Sequence, residues 1–251
     1  MPLIVGNWKM NLLASDAASL ANGIQKFSGK ISDVKVVLAP AFTLIHAVKQ
    51  ALSNSNVGLA CQNFHFQERG AFTGEVSIEM VKDAGCRYAI IGHSERRKLF
   101  GETNGMVNKK IVCAAKNNMS VILCVGESEE ERSNGRTFEI IENQIRRALF
   151  SLTMNDLDKV CIAYEPVWAI GTGVNASLDQ VEEVHDFIRN VIRKKVFMNK
   201  SSCVDILYGG SVNPQNCRDL LRNKEVNGAL VGGASLNVDS FCDIIKAASS
   251  K

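Results

Sequence analysis

Five polar side chains stand just past the ends of apolar runs, Asn7, Lys9, His93, Glu95 and Glu165, and two of them, Glu165 and His93, could move a proton beside a carbonyl. Glu165 follows the apolar run Cys161-Ile162-Ala163-Tyr164 and precedes a second apolar stretch that starts at Pro166. A carboxylate at the mouth of an apolar core, beside a segment able to fold over it, is stripped of water, which suits a proton-abstracting base. The same position also fits a surface glutamate capping a strand end. His93 lies in Ile91-Gly92-His93-Ser94-Glu95-Arg96-Arg97, where a strand gives way to a helical turn. The positive end of that turn favours a neutral ring able to exchange protons with a carbonyl oxygen. A hydrogen-bonded interior histidine fits the pattern too. Lys9 offers a cation for an anionic substrate and for charge developing on an oxygen, or else is simply solvated. Asn7 could hold the Lys9 ammonium, contact substrate or form a turn.

Two glycine pairs, Gly209-Gly210 followed by Ser211, and Gly232-Gly233, come after the last two apolar runs and before helical segments. Bare backbone N–H groups beside a helix start make an anion site, and barrels often bind phosphate there. Either pair alone could be only a tight turn. A carboxylate base, a neutral acid, a cation and a phosphate cradle, with no metal cluster and no cofactor, fit proton transfer next to the carbonyl of a small phosphorylated substrate.

These groups need elements to hold them. Eight short β-branched runs recur, at 3–5, 35–38, 57–61, 88–91, 121–125, 160–163, 204–207 and 229–231. Most are nearly continuous in apolar character, the mark of parallel strands covered on both faces. Between them lie segments of helical period at 17–27, 42–52, 104–117, 137–149, 178–197, 214–221 and 238–248. Ser177-Leu178-Asp179-Gln180 fits a capping box, and Asn213-Pro214 places a capping side chain before a proline at the first helical position. Eight strand-helix units could close as a barrel or lie open as a doubly wound sheet. The turn after the first run, Gly6-Asn7-Trp8-Lys9, lacks the glycine fingerprint of an open dinucleotide-binding sheet. The expected fold is therefore an α/β chain forming one (β/α)8 barrel domain over residues 1–251, a closed parallel eight-stranded sheet with outer helices. Every candidate residue then sits on the carboxyl-end rim, where such barrels carry chemistry.

Composition narrows the partners. The chain has 251 residues, a usual length for one such barrel, and its 46% hydrophobic content is enough for a substantial core. Its 29 basic and 26 acidic residues are interspersed, which argues against nucleic acid as a partner. No apolar stretch is long enough to span a bilayer, and a strand-like run so close to Met1 leaves no room for a signal peptide. Cys61, Cys86, Cys113, Cys124, Cys161, Cys203, Cys217 and Cys242 show no paired spacing and mostly sit among apolar residues, so they are read as reduced, buried thiols. Together these features give a cytoplasmic protein that binds no membrane. The loop at 62–76 carries Phe64, His65, Phe66 and Phe72, read as exposed aromatics on a partner surface.

Five stretches are more specific than this general chemistry: Asn7-Trp8-Lys9-Met10-Asn11, Gly92-His93-Ser94-Glu95-Arg96-Arg97, Tyr164-Glu165-Pro166-Val167-Trp168-Ala169-Ile170-Gly171-Thr172-Gly173, Tyr208-Gly209-Gly210-Ser211-Val212 and Leu230-Val231-Gly232-Gly233-Ala234-Ser235-Leu236. In content and order the chain resembles the triosephosphate isomerase family over essentially its whole length. The resemblance implies a TIM barrel that interconverts D-glyceraldehyde 3-phosphate and dihydroxyacetone phosphate through an enediolate, in glycolysis and gluconeogenesis. It implies that Glu165 is the base, that His93 serves the two oxygens, and that Lys9 stabilises negative charge, with Asn7 beside it and Glu95 in support. Gly171, Ser211, Gly232 and Gly233 would hold the phosphate. A lid would run over Pro166, Val167, Trp168, Ala169, Ile170, Gly171, Thr172, Gly173, Val174, Asn175 and Ala176, excluding water from the enediolate. The loop at 62–76 resembles the family's dimer loop, so a homodimer is implied, with Phe72, Thr73, Gly74 and Glu75 at its interface and Thr73 entering the neighbouring subunit near Asn7 and Lys9.

The chain departs from the family pattern in four places. Val174-Asn175-Ala176 stands where Lys-Thr-Ala is common, which implies altered lid kinetics with intact chemistry. Residues 64–69 of the dimer loop are atypical, Ser77-Ile78 lacks a frequent proline, and Glu225-Val226-Asn227-Gly228 replaces Asp-Val-Asp-Gly on the far rim, where it should touch stability more than chemistry. Two other readings compete. A sugar-phosphate aldolase or phosphoribosyl isomerase would use the same barrel, the aldolase needing a lysine on an interior strand. A silent metabolite- or partner-binding protein would keep the site without turnover.

Overall fold

The computed structural model describes residues 1–53, 55–170, 176–193 and 204–249. Strands β1 (Leu3–Asn7), β2 (Lys35–Ala39), β3 (Gly58–Cys61), β4 (Tyr88–Ile91), β5 (Ser120–Val125), β6 (Val160–Tyr164), β7 (Ile206–Tyr208) and β8 (Gly228–Val231) pair in parallel and in chain order, and β8 closes on β1. The barrel expected from the alternation of elements is the fold observed.

Alternation of side chains explains why the strands read as continuously apolar. Leu3, Val5, Val37, Ala39, Ile90, Ile122, Ala163, Leu207 and Leu230 fill the barrel interior. Their neighbours Ile4, Val36, Leu38, Ile91, Leu123 and Ile162 face outward and join the helix-packed layer. Both faces are therefore dry, and burying each aliphatic side chain contributes about 1.5–3 kcal/mol.

The outer layer, among the described residues, is α1 (Ala14–Ser28), α2 (Ile45–Ala51), α3 (Ile78–Asp83), α4 (Ser94–Phe100), α5 (Asn104–Lys116), α6 (Glu129–Ser133), α7 (Thr137–Ala148), α8 (Leu178–Val191), α9 (Cys217–Arg222) and α10 (Val238–Ser249). α8 opens on the capping box read from Ser177 and Gln180. Residues 194–197 of the helix expected there lie outside the described residues. The helix expected from Pro214 begins instead at Cys217. Asn213 does not cap the helix: its Oδ1 accepts from the N–H groups of Gln215 and Asn216, closing a turn ahead of it, and Asn216 stands at the N-cap. Helices α3 and α6 were not expected, since 6 and 5 residues carry too little of a 3.6-residue period to read. None of the described helices is long and apolar enough to cross a membrane.

The loop after β3 corrects the reading of its aromatics. Phe64 is fully buried in the outer core. His65 stacks between Phe66 and Phe72, at centroid distances of 4.5 and 4.4 Å, and its N–H donates to the Val76 carbonyl. Only the tip, from Gln67 through Glu75, is exposed throughout. Seven cysteines, all but Cys203, lie in described segments as free thiols.

Candidate active site

Strand parity decides which side chains reach the barrel mouth. Val5, Ala163, Leu207 and Leu230 point inward, so Asn7, Glu165, Gly209 and Gly232, two residues further on, continue the inward row. In β4 the inward row runs from Ile90 to Gly92. There the chain turns through φ 76°, a left-handed conformation suited to glycine. The next residue, His93, becomes the N-cap of α4 and joins the mouth.

Glu165 is 2% exposed. Its Oε2 accepts the Ser94 N–H at 2.9 Å, and its Oε1 lies 3.1 Å from His93 Nε2. The other ring nitrogen of His93, Nδ1, accepts the Glu95 N–H at 3.2 Å. Acceptance at Nδ1 leaves the ring proton on Nε2, so a neutral His93 donates to Glu165. Glu165 and His93 meet because β6 and the β4–α4 turn adjoin the same opening. Burial pushes the nearby Cys124 thiol well above its ordinary range, and the Glu165 charge pushes it further. Cys124 is therefore an inert thiol beside the carboxylate. Burial also raises the thiols of Cys61, with neighbouring Cys86 adding to the shift, and of Cys217.

Lys9 adopts φ 52°, which is uncommon for a residue with a side chain. Two side-chain amides hold it there: Asn7 Oδ1 accepts the Lys9 N–H at 3.1 Å, and Gln62 Nε2 donates to the Lys9 carbonyl at 2.8 Å. The ammonium pairs with Glu95 Oε1 at 2.5 Å. Asn7 thus holds the backbone of Lys9 rather than its ammonium, and Glu95 takes the ammonium.

A cavity of about 300 Å³ joins these groups to the glycine pairs, lined by Asn7, Lys9, His93, Glu165, Ser211, Gly232 and Gly233 among others. Gly232, Gly233 and Ala234 line the cavity at its β7–β8 side, where Gly232 precedes a short 3-10 turn over Gly233–Leu236 whose first N–H groups have no acceptor within the turn itself. Asn216 Nδ2 donates to the Ser211 carbonyl at 2.9 Å and fixes the other glycine turn. Among the described residues, no group of three or more His, Cys, Asp or Glu side chains is arranged to hold a metal ion.

The segment expected to form a lid is described at Pro166–Ile170 and at Ala176; Gly171, Thr172, Gly173, Val174 and Asn175 lie outside the described residues. Val167–Ala169 form a 3-10 turn. Trp168 Nε1 donates to Glu127 Oε1 at 2.9 Å, which also accepts from Tyr164 Oη at 3.2 Å and Arg132 at 3.0 Å. Arg132 lies 4.7 Å from the Trp168 ring centroid. Burial, then the Glu127 charge, pushes the Tyr164 hydroxyl up, so it stays a donor. Tyr208 is pushed up to about 12 by burial, partly offset by the Ala176 backbone N–H at the far end of the lid.

Several supporting residues were not read from the sequence. Glu102, buried, accepts the Gly92 N–H at 3.1 Å and pairs with Lys110, which donates to Asn63 Oδ1 at 2.7 Å. Arg97 donates to the Gly92 carbonyl at 2.6 Å and to Asn104 at 2.6 Å. The turn that presents His93 is thus gripped from both sides of Gly92. Ser94, Gln62, Glu102 and Glu127 carry no spacing signal that would have found them.

Residues 2–248 match the family model described as triosephosphate isomerase. Among curated proteins, the chain is 49% identical over 248 residues to the triosephosphate isomerase of Rhodopirellula baltica, covering 99% of this chain and 98% of that one. It is 46% identical over 245 residues to that of Geotalea uraniireducens, covering 98% of each. The triosephosphate isomerase of Aquifex aeolicus is 46% identical over 243 residues, covering 97% of this chain and 98% of its own length. A match of this extent, on a closed barrel whose rim gathers a carboxylate, an imidazole and a cation, places the chain in the triosephosphate isomerase family.

Proposed function

We propose that the proton transfers are carried by Glu165 as base and His93 as neutral acid, with Lys9 stabilising the developing negative charge. The activity is that of the family, the glycolytic interconversion of D-glyceraldehyde 3-phosphate and dihydroxyacetone phosphate. The carrying observation is the buried Glu165 carboxylate, hydrogen-bonded to Ser94 N–H and facing His93 Nε2, on the wall of the cavity that Lys9 also lines.

A substrate entering that cavity takes over the contact between Glu165 and His93. Glu165 removes the proton from the carbon beside the carbonyl, and His93 Nε2–H donates to the carbonyl oxygen as electron density moves onto it. The Glu95 N–H on Nδ1 keeps the ring in the tautomer this requires. The Lys9 ammonium, steadied by Glu95 and aimed by Asn7, stabilises the oxyanion. Glu165 then returns its proton to the neighbouring carbon while the other oxygen gives its hydroxyl proton back to His93 Nε2, which forms the new carbonyl and restores both groups. Ser211, Gly232 and Gly233, with Gly171 from the lid, hold the phosphate away from the base. The lid from Pro166 to Ala176 excludes water; its Val174-Asn175 departure lies outside the described residues.

The chain works as one barrel domain, cytoplasmic, and as a homodimer through the 62–76 loop. Phe72 (43% exposed), Thr73, Gly74 and Glu75 form the protruding tip. A second cavity of about 270 Å³, lined by Lys9, Met10, Phe42, Gln62, Glu95 and Phe100, has the chemistry to receive that tip from a second copy. Met10 is 94% exposed in the single chain, an apolar side chain that such an interface would cover. Sedimentation at micromolar concentration is expected to give a dimer, and a monomer would overturn this reading.

The assignment of the base is tested by isomerisation of glyceraldehyde 3-phosphate. Glu165→Ala is expected to lower kcat by about 10²–10⁴-fold. A variant that keeps kcat within about tenfold of the parent would sink it, since a base's removal costs more.

A further inference from the structure

We propose that Gln144, on α7, is a positioning residue for the base, acting through Gly126. The inference rests on the reading of Glu165 as that base. Gln144 is half-buried, and its side-chain amide makes two hydrogen bonds to one residue: Oε1 accepts the Gly126 N–H at 2.8 Å, and Nε2 donates to the Gly126 carbonyl at 3.0 Å. A single side chain thus clamps both polar groups of a peptide just past the end of β5.

Gly126 in turn sits against Glu165. A Cβ built on Gly126 would lie 1.7 Å from the Glu165 carbonyl oxygen and 3.3 Å from its Cα. No side chain fits between the two backbones. The preceding residue contributes as well, because the Glu165 N–H donates to the Val125 carbonyl at 2.7 Å. Position 126 therefore sets where the backbone of the base can be, and Gln144 sets position 126. Past the strand end, Gly126 could otherwise trade both bonds for water in the adjoining cavity of about 1020 Å³, which Gly126, Gln144 and Glu165 all line. Such an exchange would let the β5 end move and carry the carboxylate with it. A misplacement of about 1 Å at a reacting group can cost about 100-fold in rate.

The phosphate cradle lies on the β7–β8 side of the opening and does not touch Gly126. Loss of the clamp should then appear in kcat and not in KM. Gln144→Met keeps the volume and removes both bonds; it is expected to lower kcat about tenfold or more, with KM within about twofold. In a Glu165→Ala background the same substitution should cost nothing further, because a residue acting only through the base has nothing left to position. Gln144→Glu keeps the acceptor for the Gly126 N–H and loses the donor, and should fall between the parent and Gln144→Met. It carries the test if Gln144→Met does not fold, as read by titrating active sites with a phosphorylated hydroxamate. A kcat within about twofold of the parent for the folded variant, or an undiminished loss in the Glu165→Ala background, would overturn the proposal. The assignment of the base is judged separately, by the kcat of Glu165→Ala alone.

Discussion

The two ends of the barrel are built from the same kinds of residue and bonded in opposite ways. On the far rim, Arg189 donates to Glu225 Oε2 at 3.0 Å, to the Glu225 carbonyl at 3.4 Å, to Asn227 Oδ1 at 3.2 Å and to the Val204 carbonyl at 3.4 Å. Asn227 also accepts the Ile206 N–H at 2.9 Å and returns its own N–H to the Ile206 carbonyl. Its carbonyl accepts from Leu3, so one residue ties β7, β8 and β1 together. On the carboxyl rim, Lys9 has one carboxylate partner, half-exposed Glu95, and Glu165 and His93 bond to each other. The strong restraints there act on backbone: Gly92, Lys9 and Gly126 are each clamped by side chains. On the far rim the charged and amide side chains are themselves locked, to one another and to strand backbone, whereas at the carboxyl rim side chains clamp backbone and the charged tips can trade partners with a substrate.

A crossed pair of substitutions would break this contrast if it were wrong. Lys9→Met should lower kcat by about 10²–10³-fold. Its stability should hardly change, since a partly exposed ion pair contributes at most about 1 kcal/mol. Arg189→Met should do the reverse, costing about 2 kcal/mol because it strands the Glu225 carboxylate and the Asn227 amide, with kcat within about twofold. Steady-state kinetics and urea midpoints on the same two proteins measure both. A stability loss in Lys9→Met as large as in Arg189→Met would show that the rims are not so divided.

The parts of the molecule that were legible in the sequence are those where one strand decides the outcome. The continuous apolar runs gave eight parallel strands, and their ends gave Asn7, Lys9, His93, Glu165 and both glycine pairs. The glycine pairs, as isolated turns, were ambiguous; the resemblance of five ordered motifs to one family resolved them. The groups that hold these residues were not legible, because their partners are brought near only by barrel closure. Gln62 reaches Lys9 across 53 positions, Glu127 reaches Trp168 across 41, and Gln144 reaches Gly126 across 18. Each contact ends on a backbone atom or a side chain that no local period marks. Phe64 failed for the same reason: next to polar residues it reads as loop, but the chain folds it into the outer core.

His185 sharpens the contrast from the side of the far rim. It is fully buried in α8, with Nδ1 3.1 Å from the Glu225 carbonyl, so the ring donates there, and among the described residues Nε2 has no hydrogen-bond partner. The ring lies edge-to-face with that of Tyr164, the residue before Glu165, at a centroid distance of 5.9 Å. Burial lowers its pKa to about 4, with the Arg189 charge adding to the shift and the Glu225 carbonyl opposing it. In the unfolded chain an ordinary histidine titrates near 6.5. Between those values the unfolded state binds the proton and the folded state does not, so stability is fully present above about pH 6.5 and is lost as pH falls toward 4. The expected cost between pH 7 and pH 5.5 is about 1 kcal/mol. His185→Asn keeps an amide donor for the Glu225 carbonyl and removes the titration, so its urea midpoint should fall less than the parent's across that interval. Equal slopes would mean that the buried ring takes up its proton in place, and that the far rim, too, can exchange partners.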